Sequence, residues 1–224
     1  MFLLTINGTY TTIEAALTKN GNTISAAISH HHASTQLIPM IESLCKQQEI
    51  KLSDCTAIAV NCGPGPFTTM RSVIATVNGL AYAAHIPLTP INGIEAFVKA
   101  HKKNEYTHTC ALLNAFCNDV YYALYDYTTK TITSGCCSIE YWMHEHLNFL
   151  KTNPHARINY IGNGCTIYQK ELAAQFGMHT IPDQQAPQVP AIAAIIAEAQ
   201  QTTKRVDQIE PLYFKPYVPH RSGS

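Results

Sequence analysis

Asn61-Cys62-Gly63-Pro64-Gly65-Pro66-Phe67-Thr68-Thr69-Met70-Arg71 offers more chemistry than any other stretch of this chain. An apolar run, Thr56–Val60, leads into it, and Ser72–Ala84 follows it. Glycine permits the unusual backbone angles of a tight turn, and proline fixes the neighbouring φ values. Thr68 or Thr69 stands where it can cap the first free amides of a helix. Such a turn has two uses. Its amides can hold phosphate at the helix N-terminus, or it can aim the helix at a partner.

Other residue types invite a chemical reading. His30-His31-His32 and His144-Glu145-His146 carry imidazoles, a common zinc ligand. Adjacent residues rarely converge on one ion and no His-Glu-x-x-His pattern exists, so surface histidines are expected and no metal site. The eight cysteines include no Cys-x-x-Cys pair and fall in apolar or strand-like runs, which suits buried, reduced thiols. Neither a Gly-x-Ser-x-Gly elbow nor an activated cysteine is evident. Tyr121, Tyr122, Tyr125 and Tyr127 alternate with small and apolar residues as a strand requires, with only Lys130 near them, so sheet packing is expected over base stacking.

Composition narrows the classes further. Hydrophobic residues make up 46% of the 224 and charged residues 13%. Fifteen basic side chains balance fifteen acidic ones, so no global positive field exists and RNA contact needs a local patch or a partner's surface. The first residues carry no basic leader, and no apolar run approaches the ~20 residues that span a membrane. A cytoplasmic protein without membrane contact is expected.

The elements that position these residues follow from periodicity. Phe2–Ile6 is a buried strand, and Thr11–Leu17 with Thr23–Ile28 flank an Asn20-Gly21 hairpin turn. Helices are expected over Ser34–Gln47, 68–84, Ile94–Lys102, Ile139–Leu150, Ile167–Phe176 and Ala191–Gln201, with Pro39 tolerated near a first turn or at a kink. Strands are expected at Thr56–Val60, Leu88–Ile91, Thr109–Asn114, Val120–Tyr127, Ile132–Ser138 and Ile158–Ile161. Antiparallel strands followed by alternating helix and strand, stated twice, predict an α/β, actin-like duplicated two-lobe fold. Its parts are 1–104, 105–208 and a Pro-punctuated tail, 209–224.

In actin-like ATPases and sugar kinases an acidic residue after the first strand holds magnesium or water. Here that place is Asn7, and its second-lobe counterpart is Asn114. An uncharged amide is a poor magnesium ligand or base. Gly162-Asn163-Gly164 could admit a nucleoside, but one Gly-x-Gly turn is slight. No cofactor is expected. Recognition by helices remains, because the 68–84 helix carries Ala75, Gly79 and Ala83 beside Val73, Val77 and Leu80 and so has apolar or small residues on more than one side.

The run Gly63–Arg71, continued by Ala75-Thr76-Val77-Asn78-Gly79-Leu80-Ala81 and Ile86-Pro87-Leu88, resembles the signature of the TsaB (YeaZ) family. Ser34–Pro39, Asp119–Tyr125, Gly162-Asn163-Gly164 and Glu210-Pro211-Leu212-Tyr213 match in the same order. The resemblance implies the actin-like fold without catalysis and a dimerising role beside TsaD, the threonylcarbamoyltransferase. With the ATPase TsaE, that pair supports threonylcarbamoyladenosine formation next to the anticodon of tRNA. It further implies tRNA contact through the complex, and a homodimer when alone. The family's interface helices correspond to 34–47 and 68–84. Departures are Asn7 for Asp, Pro66 for Ser, Thr69 for Gly, Ala33 for His and Asn114-Ala115-Phe116 for Asp-Ala-Arg.

On this reading the interface residues are Leu37, Ile41 and Leu44 on the first helix. On the second they are Met70, Arg71, Ile74, Ala75, Asn78, Gly79 and Tyr82, with Gly63, Pro64, Gly65, Phe67 and Thr68 forming the loop motif. Arg71 has the alternative of anchoring the turn through loop carbonyls. The rival functions are an ATP-dependent or peptidase-type enzyme, and a homodimeric adaptor that no longer binds TsaD.

Overall fold

The computed structural model describes residues 2–176 and 187–214. Residues 177–186 of the expected second lobe and 215–224 of the expected tail lie outside them.

Two mixed sheets repeat one plan. β1 (Phe2–Gly8), β2 (Thr12–Lys19) and β3 (Asn22–Ser29) form a meander. Asn20 and Gly21 close its second hairpin with φ of 50° and 85°, the positive angles an Asn-Gly turn supplies. After α1 (Ala33–Gln47), β4 (Cys55–Asn61) pairs parallel to β1. After α2 (Phe67–Ala84), β5 (Leu88–Ile91) pairs parallel to β4, giving the order β3-β2-β1-β4-β5.

Following α3 (Gly93–Ala100), the second sheet begins with another meander: β6 (His108–Asn114), β7 (Asp119–Asp126) and β8 (Ile132–Ser138). After α4 (Ile139–Thr152), β9 (Ile158–Ile161) pairs parallel to β6, for the order β8-β7-β6-β9. This is the α/β, actin-like two-lobe architecture. The expected helix at 167–176 is in fact two, α5 (Asn163–Ile167) and α6 (Gln169–Phe176). α7 (Ile192–Gln201) closes the set. α1 continues through Pro39 in its interior rather than stopping there.

Strand alternation decides the layers. Leu4, Ile6, Ile58 and Val60 point to one face of the first sheet, into a core with Leu37, Ile41 and Leu44 of α1 and Met70, Val73, Ile74 and Val77 of α2. Ala59 and Ile91 point the other way, onto Ile195 and Ala199 of α7. Ile94, Phe97 and Val98 of α3 pack on Ala111, Leu113 and Ala123 of the second sheet. Thus the packing crosses the boundary expected at 104/105: α3 lies on the second sheet and α7 on the first.

Candidate functional site

The cleft between the lobes is where an actin-like fold would do phosphate chemistry, and here it is filled by amide bonding. β1 and β4 run parallel and adjacent, which brings Asn7 and Asn61 together at their ends. Asn61 Nδ2 donates to Asn7 Oδ1 at 2.9 Å, and Asn61 Oδ1 accepts from the Gly63 amide at 2.9 Å. Asn7 Nδ2 donates to Glu14 Oε2 at 2.8 Å and to the Pro190 carbonyl at 2.9 Å. Both asparagines are almost wholly buried, so these bonds account for their polar atoms. Gly93 packs on Asn61 so closely that any Cβ would strike its amide. The sequence singled out Asn7 by its place after the first strand and included Asn61 only as the opening residue of the motif stretch, without giving it a role.

The second-lobe turn is occupied in the same way. The amides of Gly162 and Asn163, at the mouth of α5, donate to the carbonyls of Pro187 and Gln188, both at 2.7 Å. A phosphate would need those amides free. Gly162 has φ 100°, and a Cβ there would collide with the Leu112 carbonyl, so this glycine serves helix–strand packing. The Asn114 carbonyl accepts the Tyr10 hydroxyl from the first lobe, and its side chain caps the Phe116 amide at 2.9 Å. Burial pushes the Tyr10 phenol up.

At the motif, Gly63-Pro64 is cis and Pro66 takes the N-cap place of α2. Neither Thr68 nor Thr69 caps the helix: both lie within it, and Thr69 is buried. One side of α2 is covered by the chain's own tail. The Leu212 amide donates to the Cys62 carbonyl at 2.7 Å, and Val206 forms an antiparallel bridge with Leu88. Arg71 Nε donates to the Tyr213 hydroxyl at 3.0 Å, and its guanidinium lies 5.8 Å and 5.7 Å from the Phe67 and Tyr213 ring centres. Arg71 therefore anchors the tail, not the loop carbonyls.

The residues expected at an interface fall into three groups. Leu37, Ile41, Leu44, Met70 and Ile74 are buried in the core and back the helical face without forming it. Arg71 and Asn78 hold the tail, Asn78 by two bonds to Ile209. Ala75, Gly79 and Tyr82 are exposed, Tyr82 at 83%, and a Cβ added at Gly79 would meet no atom within 4 Å. Ile38, 53% exposed on α1, was missed. Leu37 and Ile38 stand about 100° apart around the helix, and the core takes Leu37 while Ile38 is left exposed at its edge. Beside this stripe lies a hollow of about 250 Å³, walled by Ile38, Ile41, Cys45, Ile50, Leu52 and Leu80 and rimmed by Glu42, Lys46 and Lys51.

The remaining candidates sort plainly. Among the described residues no group of histidine, cysteine and carboxylate side chains could hold a metal, and no helix is long and apolar enough to cross a membrane. His31 and His32 are exposed as expected, but His146 is buried, stacked 4.5 Å from Trp142 with Nε2 2.6 Å from the Tyr160 hydroxyl. No disulfide joins the eight cysteines, and burial pushes Cys62 up to about 11 and Cys55 up to about 12. Tyr121 is buried in the second sheet's core.

A family model described as "TsaD: tRNA N6-adenosine threonylcarbamoyltransferase" matches residues 10–219. The Escherichia coli (strain K12) tRNA threonylcarbamoyladenosine biosynthesis protein TsaB is 30% identical over 101 residues, 45% of this chain and 44% of that protein. Its Haemophilus influenzae namesake is 29% identical over 89 residues, 39% and 38% of the two chains. The match thus spans less than half the length of either relative. In fold, the chain is similar to a Pseudomonas aeruginosa protein described as resembling peptidase YEAZ, with TM-score 0.70, 20% identity and coverage of 96% and 99%. The ethanolamine utilization protein EutJ from Carboxydothermus hydrogenoformans shares the fold at TM-score 0.51 and 11% identity, covering 89% of each chain. The chain belongs to the family of that TsaD model, and within it is similar to the TsaB (YeaZ) proteins.

Proposed function

We propose that this chain is a TsaB-type subunit that docks on a TsaD-type transferase and so supports threonylcarbamoyladenosine formation in tRNA, without catalysis of its own. The observation that carries this is the face of α2 on which Ala75, Gly79 and Tyr82 stand uncovered by any described residue, with exposed Ile38 of α1 meeting the same helix at Leu80. Small residues one turn apart let a second helix approach closely, and an exposed tyrosine supplies an anchor of the kind enriched at interfaces. The same face would pair two copies when TsaD is absent, and a TsaE-type ATPase and tRNA are met within the assembly. The saturated amides of Asn7 and Asn61 support a scaffold over an ATP-dependent enzyme.

The test is co-purification and sedimentation with the TsaD-type protein of the same organism, using wild type and Gly79→Leu. Wild type is expected to form the pair and Gly79→Leu to lose it while keeping its circular dichroism. Unchanged association of Gly79→Leu would remove the assignment, as would ATP turnover by the isolated chain.

A further inference from the structure

We propose that the end of the second sheet farthest from the cleft is a docking surface for the phosphate backbone of a structured RNA. Register builds it. The start of β6, the end of β7 and the start of β9 meet there, since His108 pairs with both Asp126 and Ile158. Loop segments 101–107, 127–131 and 153–157 therefore converge, joined by the bond from the Thr107 amide to the Arg157 carbonyl at 2.8 Å and from the Tyr127 amide to the Thr107 carbonyl at 3.0 Å. They bring Lys102, Lys103, Lys130 and Arg157 to one surface, all exposed, with Lys151 on the last turn of α4.

The charge at this end is unbalanced. Among the described residues none of these cations is in an ion pair, whereas Lys46 and Lys99 are paired, with Glu42 and Glu198. Asp126, its side chain 30% exposed, is engaged by its own turn, accepting from the Thr128 and Thr129 amides at 2.7 Å and 3.2 Å, with His108 at 3.8 Å. Glu105 is the acidic side chain left exposed on these loops. In a chain of zero formal net charge, this local excess of cations stands out. Tyrosine is interleaved with it: Lys102 Nζ lies 5.1 Å from the Tyr127 ring centre, and Tyr125 and Tyr127 are 5.4 Å apart. Unpaired cations with aromatic rings among them are what a nucleic-acid backbone and its bases require. The sequence hid this because the tyrosines and all but one of the cations lie in different segments.

The surface is separate from the α2 face and shares with the function proposed above only its RNA, so the two fail separately. The experiment is fluorescence anisotropy of a labelled, unmodified tRNA transcript against the full chain over a salt series. It compares wild type, the patch triple Lys102→Gln/Lys103→Gln/Arg157→Gln, and the first-lobe triple Lys19→Gln/Lys46→Gln/Lys51→Gln. The patch triple is expected to bind roughly tenfold more weakly, with a salt slope shallower by about 2–3, because each lost phosphate contact releases about one counterion fewer. The first-lobe triple should bind as wild type, and the patch triple should still capture the TsaD-type protein. No binding by wild type, equal loss in both triples, or patch-dependent binding of polyglutamate in place of RNA would each overturn the proposal.

Discussion

Asn78 holds the backbone of Ile209 at both ends of its amide, Nδ2 donating to the carbonyl at 2.9 Å and Oδ1 accepting from the amide at 3.0 Å. A single side chain thereby replaces the strand partner that this tail segment lacks. The tail then continues over Cys62 and Arg71 to Phe214, which packs with the second lobe's core near Tyr121. One strap thus ties α2, the Gly-Pro-Gly turn and the second sheet together, and leaves the Ala75–Tyr82 stripe uncovered.

Removing that grip should free the strap. Asn78→Ala leaves both polar groups of Ile209 without their partner, in a partly buried setting. The expected cost is about 1–3 kcal/mol. Urea denaturation should show the loss, and trypsin should cut after Lys204 or Arg205 faster than in wild type. An unchanged cleavage rate would mean the strap is held elsewhere.

Gly79 should respond in the opposite sense. It is exposed within α2 and a Cβ there touches nothing, so the isolated chain has no packing need for glycine. Gly79→Ala should stabilise the monomer by about 0.5–1 kcal/mol through helix propensity. Thermal denaturation at a concentration too low for self-association checks this. Destabilisation would show that glycine is needed within the chain itself, and that its place on the helix is not explained by a partner.

Much of the fold was legible before the structure. The strands at Leu88–Ile91, Ile132–Ser138 and Ile158–Ile161 fall where expected because periodicity and turn residues agree there. The exchange of α3 and α7 between sheets was not legible, because an apolar stripe says that a face is buried and not against which sheet. The same ambiguity placed Leu37, Ile41, Met70 and Ile74 at an interface when their own sheet buries them. The Asn7–Asn61 bond joins residues 54 apart, and only the parallel pairing of β1 and β4 brings them together.

Acid should weaken this protein through His146. Burial pushes its imidazole down from 6.5 to about 4, with the His108 charge adding to the effect. Between those values the unfolded chain binds a proton that the folded chain does not. Stability therefore rises with pH across that window, and falls as pH drops from about 6.5 toward 4. The full loss is about 3 kcal/mol. Burial lowers His108 as well, against an opposing pull from Asp126. Urea midpoints from pH 7.5 down to pH 4.5 should fall less steeply for His146→Leu than for wild type. Parallel curves would clear His146 of the effect.

Restoring a carboxylate at the cleft should harm the protein without making it an ATPase. Asn7 Nδ2 now donates to Glu14 Oε2 and to the Pro190 carbonyl, both of which can only accept at neutral pH. In Asn7→Asp the donors are replaced by a second carboxylate facing these two acceptors, in a site with no exposure to water. The expected cost at pH 7 is at least about 2 kcal/mol, from lost bonds and like-charge repulsion. Protonation of the new carboxyl would restore one donor, so the deficit relative to wild type should shrink as pH falls. Urea denaturation at pH 7 and pH 5 measures this, and isothermal titration with magnesium-ATP should give no binding for either protein. A variant as stable as wild type that also bound magnesium-ATP would mean that the cleft is open to nucleotide, and that the amide network is incidental to how the lobes are held.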